Sequence, residues 1–147
     1  MKKIIYTIFL LAVFGLAWTV QSQAQKPEMV VGAYVTSWTD EVPDPHVMTH
    51  INYAFGHVND SFDGVRIDNP ERLRMIVELK QQNLKLKVLL SIGGWGSGRF
   101  SEMAASKENR EKFANDCQRV VKEYGLDGID IDWEYPTQST ANISSYL

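Results

Sequence analysis

In the segment Asp127–Pro136 (DGIDIDWEYP), carboxylic acids recur at every second position: Asp130, Asp132 and Glu134. Successive side chains of a β-strand point to opposite faces, so as a strand this segment aligns the three carboxyl groups on one face. Ile129, Ile131 and Trp133 fall on the other, where the isoleucines are placed to pack under helices. The column from Asp130 to Glu134 spans about 13 Å at roughly 3.3 Å per residue. Three ionised carboxylates at that spacing repel one another, which favours retention of at least one proton and raised, coupled titrations. A proton-bearing acid at the open end of such a column is what cleavage of a glycosidic bond needs. Glu134, nearest the C-terminal end of the strand, is the natural donor. Asp127 has the opposite parity and is assigned a structural role.

A carboxylate column can also bind a hard cation such as magnesium or calcium through oxygen. The isoleucine-spaced strand offers no carbonyl-rich loop for that purpose, so no metal and no cofactor are expected. His46, His50 and His57 have no ligand-like spacing and read as surface or strand-end residues.

The elements that must position the column follow a repeating pattern. Four runs rich in β-branched and aromatic residues are predicted strands: 30–38 (VVGAYVTSW), 50–58 (HINYAFGHV), 85–92 (KLKVLLSI) and 126–133 (LDGIDIDW). Asn69-Pro70 reads as an N-cap followed by proline in the first helical turn, with Leu73, Ile76, Val77 and Lys80 at helical spacing as far as Asn83. A second helix is predicted from Ser106 to Gly125, with Phe113, Cys117, Val120, Val121 and Tyr124 on one face. Cys117, the only cysteine, is therefore expected to be a small packed residue. Strands alternating with helices imply an α/β fold with parallel pairing and right-handed crossovers. Four strands fit either the opening of a doubly wound sheet or part of an eightfold barrel. No glycine-rich phosphate loop follows the first strand, which leaves the nucleotide-binding version unsupported.

DGIDIDWEYP resembles the DxxDxDxE signature of glycoside hydrolase family 18, the chitinases and their relatives. Ser91-Ile92-Gly93-Gly94-Trp95 is similar to that family's SxGG motif on the third strand. Ile51-Asn52-Tyr53-Ala54-Phe55 and Gly32-Ala33-Tyr34 resemble its second and first strands. The resemblance implies a (βα)8 TIM barrel, of which residues 25–147 would supply about the first four strand–helix units. It also implies retaining hydrolysis of β-1,4-linked N-acetylglucosamine in chitin or chito-oligosaccharides, with the sugar's own acetamido oxygen as nucleophile. By the same resemblance Glu134 is the acid and later the base, and Asp132 orients the acetamido group. Asp130 shares a proton with Asp132, and Ser91 and Tyr34 hydrogen-bond to that pair. Two other readings stay open: an endo-β-N-acetylglucosaminidase acting on glycoprotein glycans, and a non-catalytic carbohydrate-binding relative.

Aromatic residues supply an independent line. Trp38, Trp95 and Trp133 each sit at the C-terminal end of a predicted strand, the active face of a barrel. Flat indoles suit stacking on sugar rings. Trp95 is the best candidate for such a platform, whereas Trp133 points outward by parity and reads as core. Phe55, Tyr34, Gly94 and Tyr135 complete the candidate substrate-binding set, with Gly93 and Gly94 leaving room for a close approach.

Composition narrows the setting. Lys2 and Lys3 precede an apolar run from Ile4 to Trp18, and Ser22-Gln23-Ala24 follows with small residues where a signal peptidase reads. Residues 1–24 are thus an expected signal peptide, and the protein is expected to be secreted or periplasmic with no membrane attachment after cleavage. With 15 basic and 18 acidic residues the net charge is −3, and loss of Lys2 and Lys3 takes it to −5. Nothing here resembles a basic nucleic-acid surface. A complete barrel takes typically about 250 residues, so the chain is expected to be the N-terminal half of one. Its partner would be the missing C-terminal half of the barrel, and on its own it is expected to be inactive.

Overall fold

The structure is a computed structural model that describes residues 29–136. The expected signal peptide lies outside the described residues. Strands β1 (Gly32–Thr36), β2 (His50–Val58), β4 (Lys87–Gly93) and β5 (Gly128–Asp132) pair in parallel in that spatial order. A three-residue strand β3 (Val65–Ile67) pairs antiparallel with the end of β2. Helix α1 (Pro70–Glu78) runs on into a 3-10 turn, Leu79–Gln81. The short α2 (Phe100–Ala105) and the long α3 (Lys107–Tyr124) follow β4.

The strand order separates the two architectures that the sequence left open. A doubly wound sheet reverses its strand order at a switch point; here the parallel strands follow the chain monotonically, as in a barrel. The α/β fold is accordingly part of a (βα)8 barrel. Ile51, Tyr53, Val88, Leu90 and Ile92 pack on one side of the sheet and are all fully buried. They meet Leu73 and Ile76 of α1 and Phe113 and Val120 of α3 in one core. Alternation then turns Tyr34, Asn52, Ser91, Asp130 and Asp132 to the inner face.

Both long helices carry the caps that their sequences announce. The Asn69 side chain accepts from the Arg72 N–H, and Pro70 occupies the first turn, where a missing N–H costs nothing. Ser106 accepts from the Asn109 N–H, and Gly125 closes α3 in the left-handed conformation at φ 68°. Cys117 packs against the core, and burial pushes its thiol up to about 11. Arg72, buried within α1, donates to Thr36 O and Glu41 O and so pins the loop after β1 that carries Trp38.

One packing expectation fails in part. Ile129 joins the core, but Ile131 is 52% exposed. β5 is the last strand of the described sheet, and Ile131 lies outside the core cluster that Ile129 joins. No helix among the described residues is long and apolar enough to cross a membrane.

Candidate active site

The strand registers bring the inner-face polar residues together. Tyr34 is level with Asn52 across β1 and β2, and Ser91 is level with Asp130 across β4 and β5. The Tyr34 hydroxyl and the Ser91 hydroxyl each donate to Asp130 Oδ2 at 2.9 Å. Asn52 Nδ2 donates to the same oxygen at 3.2 Å. Asp130, the innermost member of the column, is thereby held from three strands. Ser91 is fully buried.

Asp132 is the carboxyl that the column perturbs. Burial raises its pKa above the ordinary aspartate range, and the charges of Glu134 and Asp130 push the same way. A group whose folded pKa is raised contributes most below its unfolded value, and that contribution is lost as pH climbs through the folded value. Asp132→Asn is therefore expected to raise Tm near neutral pH. The gain should shrink to nothing below about pH 3.5, where aspartate is protonated in both folded and unfolded chains. Thermal denaturation of both chains across that range checks the sign.

Glu134 follows β5 at the C-terminal end of the sheet and completes the run of acids. It lines a cavity of about 290 Å³ with Tyr135, Trp133, the loop residues Ser97 and Arg99, and Phe100 at the start of α2. The Tyr135 phenol is pushed up chiefly by a hydrogen bond to the Glu134 carboxylate and then by its charge. A roomier cavity of about 670 Å³ lies at the opposite end of the sheet, beside Met48, His50 and Lys87, and none of the three carboxylates lines it. The acids and that cavity belong to different ends of the barrel, and chemistry belongs with the acids.

The aromatic candidates divide by parity. Trp38 and Trp95 are 69% and 88% exposed at the carboxyl end of the strands. Trp133 instead stacks on Phe100, with ring centroids 5.4 Å apart and planes at 15°, and packs against the core. Phe55 lies between Trp38 and His57, with ring centroids 6.3 Å and 6.4 Å away. The glycines do leave room, but for protein. A Cβ on Gly93 would lie 2.0 Å from Asp132 O, and one on Gly94 would lie 2.9 Å from the Phe55 ring.

Asp127 sits apart from the column. Burial disfavours its charge, but hydrogen bonds from Lys80, the Val88 N–H and Lys87 outweigh that and hold its pKa below the usual range. It ties the 3-10 turn after α1, and β4, to the start of β5. Two features escape sequence reasoning. Asn52 joins the Asp130 cluster, and His57 bridges Asp68 and Ser97 at 2.9 Å on each side, tying the loop after β4 to β2. Asn52 carried one readable signal, a polar side chain at inner-face parity between the buried Ile51 and Tyr53.

The site is thus a barrel sheet with Asp130 and Asp132 on its inner face and Glu134 just past the carboxyl end of β5. The sequence profile of Glycosyl hydrolases family 18 matches residues 30–147, and the chain belongs to that family. It is 34% identical over 116 residues to chitotriosidase-1 of Mus musculus, covering 70% of this chain and 25% of that protein. The chitinase domain of the spore coat protein CotE from Clostridium difficile superposes with a TM-score of 0.70 at 36% identity, covering 80% of this chain and 34% of that one. A mutant class V chitinase from Nicotiana tobaccum, solved in complex with NAG4, superposes with a TM-score of 0.68 at 25% identity, over 76% of this chain and 34% of that one. The chain thus spans about a third or less of the length of these relatives.

Proposed function

We propose that this chain supplies the catalytic acids of a secreted or periplasmic chitinase that cleaves β-1,4-N-acetylglucosamine linkages in chitin or chito-oligosaccharides. The observation that carries the reading is the inner-face pair Asp130 and Asp132, with Asp130 rooted on Tyr34 and Ser91 and with Glu134, just past the end of β5, close enough for its charge to act on Asp132. In the first step Glu134 gives its proton to the glycosidic oxygen as the C1–O bond breaks. The acetamido oxygen of the same sugar bonds to C1, and Asp132 orients that group and balances the charge of the oxazolinium ring. In the second step the Glu134 carboxylate takes a proton from water as the water oxygen attacks C1 and the ring reopens. Two displacements at C1 retain the configuration, and no enzyme carboxylate becomes covalently bound. In this reading Trp95 and Trp38, exposed at the carboxyl end of the sheet, stack on neighbouring sugars.

The four parallel strands of the described residues do not close into a barrel and by themselves cannot enclose a sugar chain. The 147-residue chain alone is therefore expected to turn over little or no substrate, and a form carrying a complete family 18 barrel is expected to be active. A chromogenic chitobioside assay on both forms, each beside its Glu134→Gln variant, tests this. Glu134-dependent turnover by the short chain would refute its inactivity, and an inert complete barrel would refute the hydrolase assignment. A panel including a glycoprotein glycan separates chitin from N-glycan substrates.

A further inference from the structure

The loop from β4 to α2 runs Gly94-Trp95-Gly96-Ser97-Gly98-Arg99, a glycine-rich stretch with little stiffness of its own. Trp95 is largely exposed, so its place depends on the turn that carries it more than on packing around the ring. The Ser97 N–H closes that turn by donating to Gly94 O at 3.0 Å, with Trp95 and Gly96 as its central residues. The φ of 79° at Gly96 is one that glycine takes freely at the third position of a turn. Both ends of the turn are tied to the sheet. At one end the Gly94 N–H donates to Asp132 O of β5 at 2.9 Å. At the other, the Ser97 hydroxyl meets His57 Nδ1 of β2 at 2.9 Å.

His57 is itself held in place. Its Nε2 lies 2.9 Å from Asp68 Oδ2, and the Arg66 guanidinium pairs with the other oxygen of that carboxylate. An ionised carboxylate only accepts, so Nε2 carries the hydrogen. Nδ1 of the neutral ring is then left to accept from the Ser97 hydroxyl. The ring is half-buried, whereas another tie on this loop, an ion pair from Arg99 to Asp60 at 2.7 Å, is exposed and screened by water and salt.

We propose that His57 is a positioning residue for substrate binding: by holding Ser97 it fixes the turn that presents Trp95 at the carboxyl end of the sheet, and so sets how tightly a chito-oligosaccharide is held there. The sugar rests on the hydrolase reading proposed above; the tie between His57 and Ser97 does not. Ser97→Ala removes that tie alone, from a half-exposed loop. Ser97→Thr keeps the hydroxyl, and His57→Leu removes both bonds of the ring.

The test has two arms. In the 147-residue chain labelled with ¹⁵N at tryptophan, the Trp95 backbone amide is assigned by its loss in Trp95→Phe. Its order parameter is expected to fall from about 0.85 towards about 0.6 in Ser97→Ala and in His57→Leu, and to keep its wild-type value in Ser97→Thr. In a form with a complete barrel, Ser97→Ala is expected to raise KM for a chito-oligosaccharide roughly two- to tenfold, the scale of one hydrogen bond, with kcat little changed. A wild-type order parameter in Ser97→Ala overturns the proposal, since the Arg99 ion pair would then be what holds the loop. An unchanged KM or a loss confined to kcat overturns it as well, and so does a Ser97→Ala chain that fails to fold, which would make Ser97 a folding residue. A loosened turn beside an inert wild-type barrel would instead uphold the tie and reject the hydrolase reading.

Discussion

Glu134→Gln in a complete barrel is expected to lower kcat by roughly 10²–10⁴-fold on chito-oligosaccharides, the range attributed to a positioned general acid. The substitution keeps the size of the side chain and removes only its capacity to give and recover a proton. Asp132 cannot stand in, because it sits two residues back along β5, nearer the bottom of the column. Nor should folding suffer, since Glu134 follows the end of β5 and lies outside the hydrophobic core. Oligosaccharide affinity, which the proposal assigns to the exposed Trp38 and Trp95, should stay within a few-fold of wild type. Steady-state kinetics together with calorimetric titration of the variant measure both halves of that expectation.

Gly93→Ala is expected to have the largest effect on stability. Gly93 pairs with Asp132 in the β4–β5 ladder, and the Gly94 N–H donates to Asp132 O at 2.9 Å. An added Cβ would lie 2.0 Å from that same carbonyl oxygen, so the backbone of β5 must move. The φ of 130° at Gly93 adds strain that alanine cannot relieve. Overpacking and backbone strain together cost roughly 2–6 kcal/mol, which should lower Tm by at least about 10 °C. Gly98→Ala, where nothing lies within 4 Å of the new Cβ, is the control and should leave Tm nearly unchanged. Thermal denaturation of the three chains decides the point. Because the shifted backbone belongs to Asp132, the same variant should also displace the acid column.

How much of this was legible depended on how local the signal was. Strand β2 falls on the predicted residues 50–58, since its apolar run is long and bounded on both sides. The helices begin where Asn69-Pro70 and Ser106 announce them, because capping is chemistry within a few residues. β3 was not legible. Val65–Ile67 is three residues with an arginine at its centre, too short to show a period, and it exists through pairing with the end of β2. The six-residue α2 was hidden similarly: it follows a glycine-rich stretch, and its N-cap, Arg99, makes no side-chain capping bond.

The site was legible in its parts more than in its connections. Parity along one strand was enough to put Asp130 and Asp132 on one face, but β5 ends at Asp132, so parity along the strand does not reach Glu134. It could not show that Asn52 meets Asp130, because that contact depends on how β1, β2, β4 and β5 align across the sheet. Gly94 likewise reads as space for a ligand until the Phe55 ring is seen to occupy it. The exposure of Ile131 is also a matter of neighbours: alternation places it on the helix-facing side, but only a covering helix would bury it.

The central claim is that Glu134 delivers a proton to the departing oxygen, and dependence on the leaving group tests it most directly. A dinitrophenolate leaves without protonation, whereas a sugar hydroxyl does not. In a complete barrel, Glu134→Gln should therefore cost orders of magnitude in bond cleavage on a chito-oligosaccharide and far less on a dinitrophenyl chitobioside, read in single-turnover assays. Equal losses on the two substrates would contradict the account, since they would show that Glu134 serves the site in some way other than by giving up its proton.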